Sequence, residues 1–103
     1  MPEFSSPFSG LNADRKLTKN EVIRTIRYSI SAEYEAIQIY EQIADSTDNE
    51  LVKKVMIDVA NEEKVHAGEF LKLLNEMTSE EFEFYKNGQS EVDDMKDELK
   101  KGK

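Results

Sequence analysis

The chain of 103 residues contains no cysteine and no tryptophan, one histidine, two prolines and four glycines. Without cysteine there is no disulfide frame, no thiolate zinc or iron–sulfur site and no cysteine nucleophile, so any metal chemistry has to use oxygen and nitrogen ligands. Basic residues are scarce as well: 14 Lys and Arg stand against 22 Asp and Glu, a formal net charge of −8. Gripping a phosphate backbone takes clustered cationic side chains, which this balance does not supply, so nucleic acid is not expected as a partner and the field favours metal cations. No run reaches the ~18 apolar residues of a membrane span, and residues 1–10, MPEFSSPFSG, lack the basic start and apolar core of a secretory signal. The expectation is a cytoplasmic protein with no membrane partner. Residues 96–99 spell KDEL, but that address is read at the extreme C-terminus and four residues follow it here.

What the chain does have is Glu, Lys, Ile and Leu in helix-forming proportions, with few breakers, so the fold class is all-α. Residues 1–17 are rich in Ser, Pro, Gly and Asn without periodicity and read as a flexible N-terminal arm. The pattern T-x-x-E, a capping box, recurs at Thr18 to Glu21, Thr47 to Glu50 and Thr78 to Glu81, marking three helix starts. A first helix over about residues 19–45 carries Ile23, Ile26, Ile30, Glu33, Ile37, Tyr40 and Ala44 at alternating steps of three and four. A second, over about residues 48–77, does the same with Val52, Met56, Val59, Glu63, His66, Phe70, Leu73 and Met77. A short helix over residues 79–86, closed by Gly88, ends a hairpin domain of residues 18–88. Residues 89–103 form a charged C-terminal helix and tail.

The two seams are apolar or aromatic except at Glu33, Glu63 and His66. Residues 45–49 leave room only for a reversal, so the long helices pair as an antiparallel hairpin about 40 Å long at roughly 1.5 Å per residue. That pairing brings Glu33 and Glu63 to nearly the same height. Glu-x-x-His by itself is a common coincidence in a Glu-rich chain, but here all the polar positions of both seams converge. Burying an unpaired carboxylate costs several kcal/mol. A divalent metal compensates for it, and Glu63 and His66, three residues apart on one helix face, can share an ion. The set is half of the dinuclear carboxylate site of a four-helix bundle, and a two-fold homodimer of hairpins completes it.

SAEYEAIQIY at residues 31–40, followed by NEEKVHAGEF at residues 61–70, resembles the ferritin-like superfamily, and most closely the encapsulated ferritins, over about residues 19–77. The resemblance implies a ferroxidase: two Fe(II) per dimer, about one per chain, oxidised by O2 at a di-iron centre between subunits, for iron storage in an encapsulin shell. It implies a dimer assembling into a ring, with a decamer as the family expectation, and a location in the lumen of the nanocompartment. Glu33 and His66 match the terminal iron ligands, Glu63 the bridging carboxylate, Tyr40 a tyrosine beside the centre, and Glu35 one member of an acidic metal-uptake site. Ala32 stands where the family often has another acid of that site, and Ile39 where it often has tryptophan. Relatives also carry an apolar C-terminal tag or are fused to the shell protein, whereas residues 91–103 are highly charged. A separate cargo chain and a domain of a fusion both remain open.

Other readings of the same residues stay open too. A rubrerythrin-like peroxide reductase would use the same ligands, although rubrerythrins normally take electrons through a four-cysteine iron that this chain cannot build. A non-catalytic helical dimerisation or adaptor module would use its polar seam residues only to fix register. A manganese or non-redox site is compatible with the ligands.

Overall fold

The computed structural model describes residues 15–102. Most of the expected N-terminal arm, residues 1–14, lies outside them. Three helices follow in order: α1 (Lys19–Ser46), α2 (Glu50–Met77) and α3 (Ser79–Lys101). The described residues contain no strand, as the composition implied.

Helix α1 starts where the capping box places it. The Thr18 hydroxyl accepts from the Glu21 amide at 3.2 Å, and the Glu21 carboxylate accepts from the Thr18 amide at 2.8 Å, so each satisfies an amide with no partner in the first turn. Arg15 closes on the same carboxylate with two hydrogen bonds of 2.7 Å. This Arg15 contact, with the Thr18 amide, holds the Glu21 carboxyl down at about 2.

The second start is capped by a different residue from the one expected. Asn49, not Thr47, is the N-cap of α2, its side-chain oxygen accepting from Leu51 and Val52 at 3.0 and 3.1 Å. Thr47 closes α1, and its hydroxyl accepts from the Asn49 amide at 3.1 Å. Asn reaches the second and third amides of the helix as well as Thr does, and standing one residue before α2 it takes the position.

Helices α1 and α2 each run for 28 residues, about 42 Å at 1.5 Å per residue, and pack as the antiparallel hairpin. Ile23, Ile26, Ile30, Ile37 and Ala44 of α1 are buried, as its seam predicted. On α2 the buried line is instead Ala60, Ala67 and Leu74, each one position beyond Val59, His66 and Leu73. Small side chains at Ala44, Ala60 and Ala67 let the two backbones approach closely. Larger residues of the expected α2 seam, Val52, Met56, Val59, Phe70 and Met77, are therefore left half-buried along one flank of the hairpin, with His66 and Leu73 exposed. At the end away from the turn, Ile23, Ile26, Ile30 and Leu74 form a cluster packed by Phe70, Leu71, Met77 and Phe82.

Two short helices were expected after Met77, and one long helix is found. Helix α3 continues through Gly88, where an added Cβ would meet nothing within 4 Å. A single glycine costs a helix about 1 kcal/mol against alanine, too little to end one whose neighbours all favour it. The third capping box does not close either: Thr78 is the N-cap, but its side chain makes no capping hydrogen bond. Glu81 is drawn away to α1, where Arg27 Nε donates to its two oxygens at 3.0 and 3.1 Å and Arg27 Nη2 and the Tyr85 hydroxyl also donate to it. Phe82 packs edge-on to Tyr85 with centroids 4.9 Å apart. Beyond these first two turns every described residue of α3 is exposed.

Candidate metal centre

Glu33 and Glu63 lie equally far from the turn-side ends of α1 and α2, so antiparallel packing sets them side by side. His66, one turn after Glu63, joins them. One ligand atom from each of Glu33, Glu63 and His66 lies within 4.8 Å of the other two, and among the described residues no other His, Cys, Asp or Glu group meets that condition. The three residues that break the apolar seams in sequence are thus brought together in space.

The spacing is informative. His66 Nδ1 stands 3.8 Å from Glu63 Oε2 and 3.9 Å from Glu33 Oε2, too far for hydrogen bonds. Donors each about 2.1 Å from a common ion are separated by roughly 3–4 Å, depending on the angle between them. Glu33 Oε2 is buried and has no hydrogen-bond partner, which is costly for a carboxylate oxygen unless a cation faces it. Two carboxylates and one imidazole make a donor set suited to iron, manganese or zinc.

Burial is lopsided. The side chains of Glu33 and Glu63 are 17% and 20% exposed while that of His66 is 48% exposed. The trio therefore sits on the flank of the hairpin, closed by the chain on one side and open on the other. Along the same two helices Tyr40, Val52, Val59 and Phe70 are half-buried, and Ile43, Val55 and Leu73 are exposed. Tyr40 follows Glu33 by two helical turns on the same face, about 10 Å along the axis. Glu35 is exposed and, two residues past Glu33, lies roughly 200° around the helix at 100° per residue.

Two polar contacts near this region carry no local signature in the sequence. Lys64 pairs with Glu41 across the hairpin at 2.8 Å, and Arg27 pairs with Glu81 across 54 positions of sequence. In the second, Arg27 and then Tyr85 hold the Glu81 carboxyl below its ordinary value, against the opposing effect of burial, and burial raises that of Tyr85. Nothing short of the tertiary fold would have paired them.

Comparison with known proteins shows the family and the fold. The rubrerythrin family model matches residues 25–101. The chain is 41% identical over 85 residues to a ferritin-like–encapsulin shell fusion protein of Pyrococcus furiosus, covering 82% of this chain and 25% of that protein. It is 40% identical over 81 residues to an encapsulin nanocompartment cargo protein of Myxococcus xanthus, covering 79% of this chain and 61% of the relative. The chain thus spans a quarter of the first relative and about three-fifths of the second. The crystal structure of the encapsulated ferritin domain from Pyrococcus furiosus superposes with a TM-score of 0.79 at 40% identity, covering 84% of this chain and 89% of that one. With its three helices, its converging Glu33, Glu63 and His66, and these relatives, the chain belongs to the rubrerythrin family of ferritin-like proteins, in the encapsulated ferritin branch.

Proposed function

We propose that the chain is a ferroxidase whose centre forms between two copies, each contributing Glu33, Glu63 and His66. The observation that carries this reading is the trio itself: three potential metal ligands converge on one flank, with a buried carboxylate oxygen that lacks a hydrogen bond. One copy offers three protein ligands and leaves His66 half-exposed. A second hairpin placed against the flank by a two-fold axis doubles the set to four carboxylates and two imidazoles, enough for two ions.

Fe(II) is the substrate in this reading. Glu33 and His66 hold each iron from one chain, and Glu63 bridges toward the second. Two Fe(II) each give one electron to O2, which takes up two protons to leave hydrogen peroxide, and the Fe(III) formed departs for mineralisation. Carboxylate oxygens, being hard donors, favour the ferric product, while imidazole tolerates both oxidation states. Tyr40, on the same face, packs beside the centre, and Glu35 serves as an outer acid that concentrates cations. Storage takes place in an encapsulin shell. Its support is the two named relatives, one fused to a shell and one a cargo protein.

Anaerobic titration with Fe(II), followed by O2, tests the reading. The expectation is about one iron per chain and rapid oxidation, both lost in Glu63→Ala and His66→Ala, with oligomer size measured alongside because the metal stabilises whichever state forms the site. Uptake near zero, or wild-type rates in the variants, would refute it. A centre inert to O2 but fast with hydrogen peroxide would point instead to the peroxide reductase.

A further inference from the structure

A groove runs along the flank of the molecule away from the metal trio. Arg27 and Tyr34 stand about 120° and 100° around α1 from Glu33 at 100° per residue, with the buried Ile30 and Ile37 between, and both line a cavity of about 380 Å³. The remaining lining residues are Ile30, Leu71 and Leu74 and, from α3, Tyr85. Ile30, Leu71 and Leu74 are the buried and half-buried members and make an apolar floor, while Arg27, Tyr34 and Tyr85 are exposed and form the rim. Among the described residues nothing closes over that rim, where Tyr34 is 51% and Tyr85 40% exposed. A cavity of roughly 150 Å³ holds one benzene ring, so the groove has room for two.

The chain carries an occupant of matching chemistry. Residues 1–14 lie outside the described part, and their sequence holds Phe4 and Phe8, two of the chain's five phenylalanines, among Ser, Pro, Gly and Asn. A stretch that stays in water gains nothing from such rings. Arg15, closed on Glu21, roots this segment beside the first turn of α1. Seven residues of chain from Arg15 back to Phe8 reach up to about 25 Å when extended, whereas Arg27 and Tyr34 lie about 12 and 22 Å along α1 from Lys19. The extended distance from Phe4 to Phe8, about 13 Å, is close to the roughly 10 Å of helix between Arg27 and Tyr34. Pro7 favours an extended backbone at itself and at Ser6, the form in which a segment lies along an aromatic-lined groove. Phenyl rings pack edge-on against tyrosines such as Tyr34 and Tyr85, and a guanidinium such as that of Arg27 attracts a ring face. We propose that residues 4–8 run back along α1 and seat Phe4 and Phe8 in this groove, strapping the first turns of α3 to the hairpin. A tether this short gives an effective concentration on the order of millimolar, which favours the chain's own segment over a free partner. The proposal does not depend on the metal reading, since no groove residue belongs to the trio.

The protein has no tryptophan, so Phe8→Trp gives the full chain a single indole. With chelator present, its emission should shift to the blue and its quenching by acrylamide should fall several-fold below that of Asn12→Trp, a control on the same segment. Tyr34→Ala, which cuts the rim and leaves the floor alone, and Leu71→Glu, which charges the floor, should each return the indole to solvent, with circular dichroism confirming that helix content is kept. An indole as exposed as that of Asn12→Trp would overturn the proposal, and so would one that stays shielded in Tyr34→Ala. Mixing separates the chain's own groove from a neighbour's. The double variant Phe8→Trp, Tyr34→Ala should stay fully quenched in an excess of the Phe4→Ser, Phe8→Ser chain, whose own segment no longer competes for its groove. Recovered shielding would overturn the proposal by placing the segment on a second copy.

Discussion

Replacing Glu33 by Gln should change stability in opposite directions with and without metal. In the metal-free protein Glu33 Oε2 is buried without a hydrogen bond, and the Glu63 carboxylate shares its neighbourhood. Gln fills the same volume and removes the charge, and its amide can donate to Glu63. Discounted for the 17% exposure of Glu33, the gain is about 1 kcal/mol, the scale of a buried polar group regaining a partner. For a domain of this size that is roughly 4–8 °C in melting temperature. With Fe(II) at 100 times its dissociation constant, the wild type should be stabilised by about 2.7 kcal/mol, a gain that Gln forfeits with the ligand. The order of the two proteins should therefore invert on adding metal. Anaerobic thermal melts followed by circular dichroism, at one fixed protein concentration, with chelator and then with Fe(II), give both comparisons. A variant that melts lower than wild type without metal, yet gains as much from Fe(II), would refute the assignment of the buried oxygen as a metal ligand.

Three further predictions follow from the helix ends and junctions. Asn49→Ala should cost about 1 kcal/mol in urea denaturation, while Thr47→Ala should cost less, because Asn49 and not Thr47 caps α2. Arg27→Ala should cost on the order of 1 kcal/mol, since it leaves Glu81 half-sheltered without its cation, and should broaden the angle between α3 and the hairpin seen by paired spin labels. Acid should fray the start of α1 late: a carboxyl depressed by folding stabilises above its unfolded value and loses that contribution as pH falls through the folded one. For Glu21 that window runs from 4.5 down to about 2, so NMR should find its carboxyl still ionised at pH 3.5, and Arg15→Ala should bring the transition back toward 4.5.

The hairpin was legible because its signals are local and repeated: a capping box, a turn too short for anything but reversal, and apolar residues at steps of three and four. The trio was legible for a related reason, as ionisable side chains stand out only against an apolar seam. Reading the seam of α2 from large side chains placed it one residue early, since hydropathy weights Val59, His66 and Leu73 above Ala60, Ala67 and Leu74. Close packing of helices prefers the small residues, and the bulky line is displaced to the flank. The continuity of α3 was hidden by Gly88, whose cost is small beside the summed preference of its neighbours. The diversion of Glu81 from its cap to Arg27 was hidden for a deeper reason. Local sequence offers Glu81 a hydrogen bond with a backbone amide, whereas the fold offers it a cation, and the charge-assisted contact is the stronger.

The lopsided burial of the metal trio has a kinetic consequence. On the ferroxidase reading, where the ligands that one chain can muster stop at three and the fourth side is water, iron oxidation becomes a property of encounters rather than of single molecules. Its rate at low protein should rise as the square of concentration and flatten once most chains are paired. Such chemistry would be silent in dilute solution and switch on where many copies are held together, so on this reading crowding the chains into one place is itself a way of deciding where ferric iron is made.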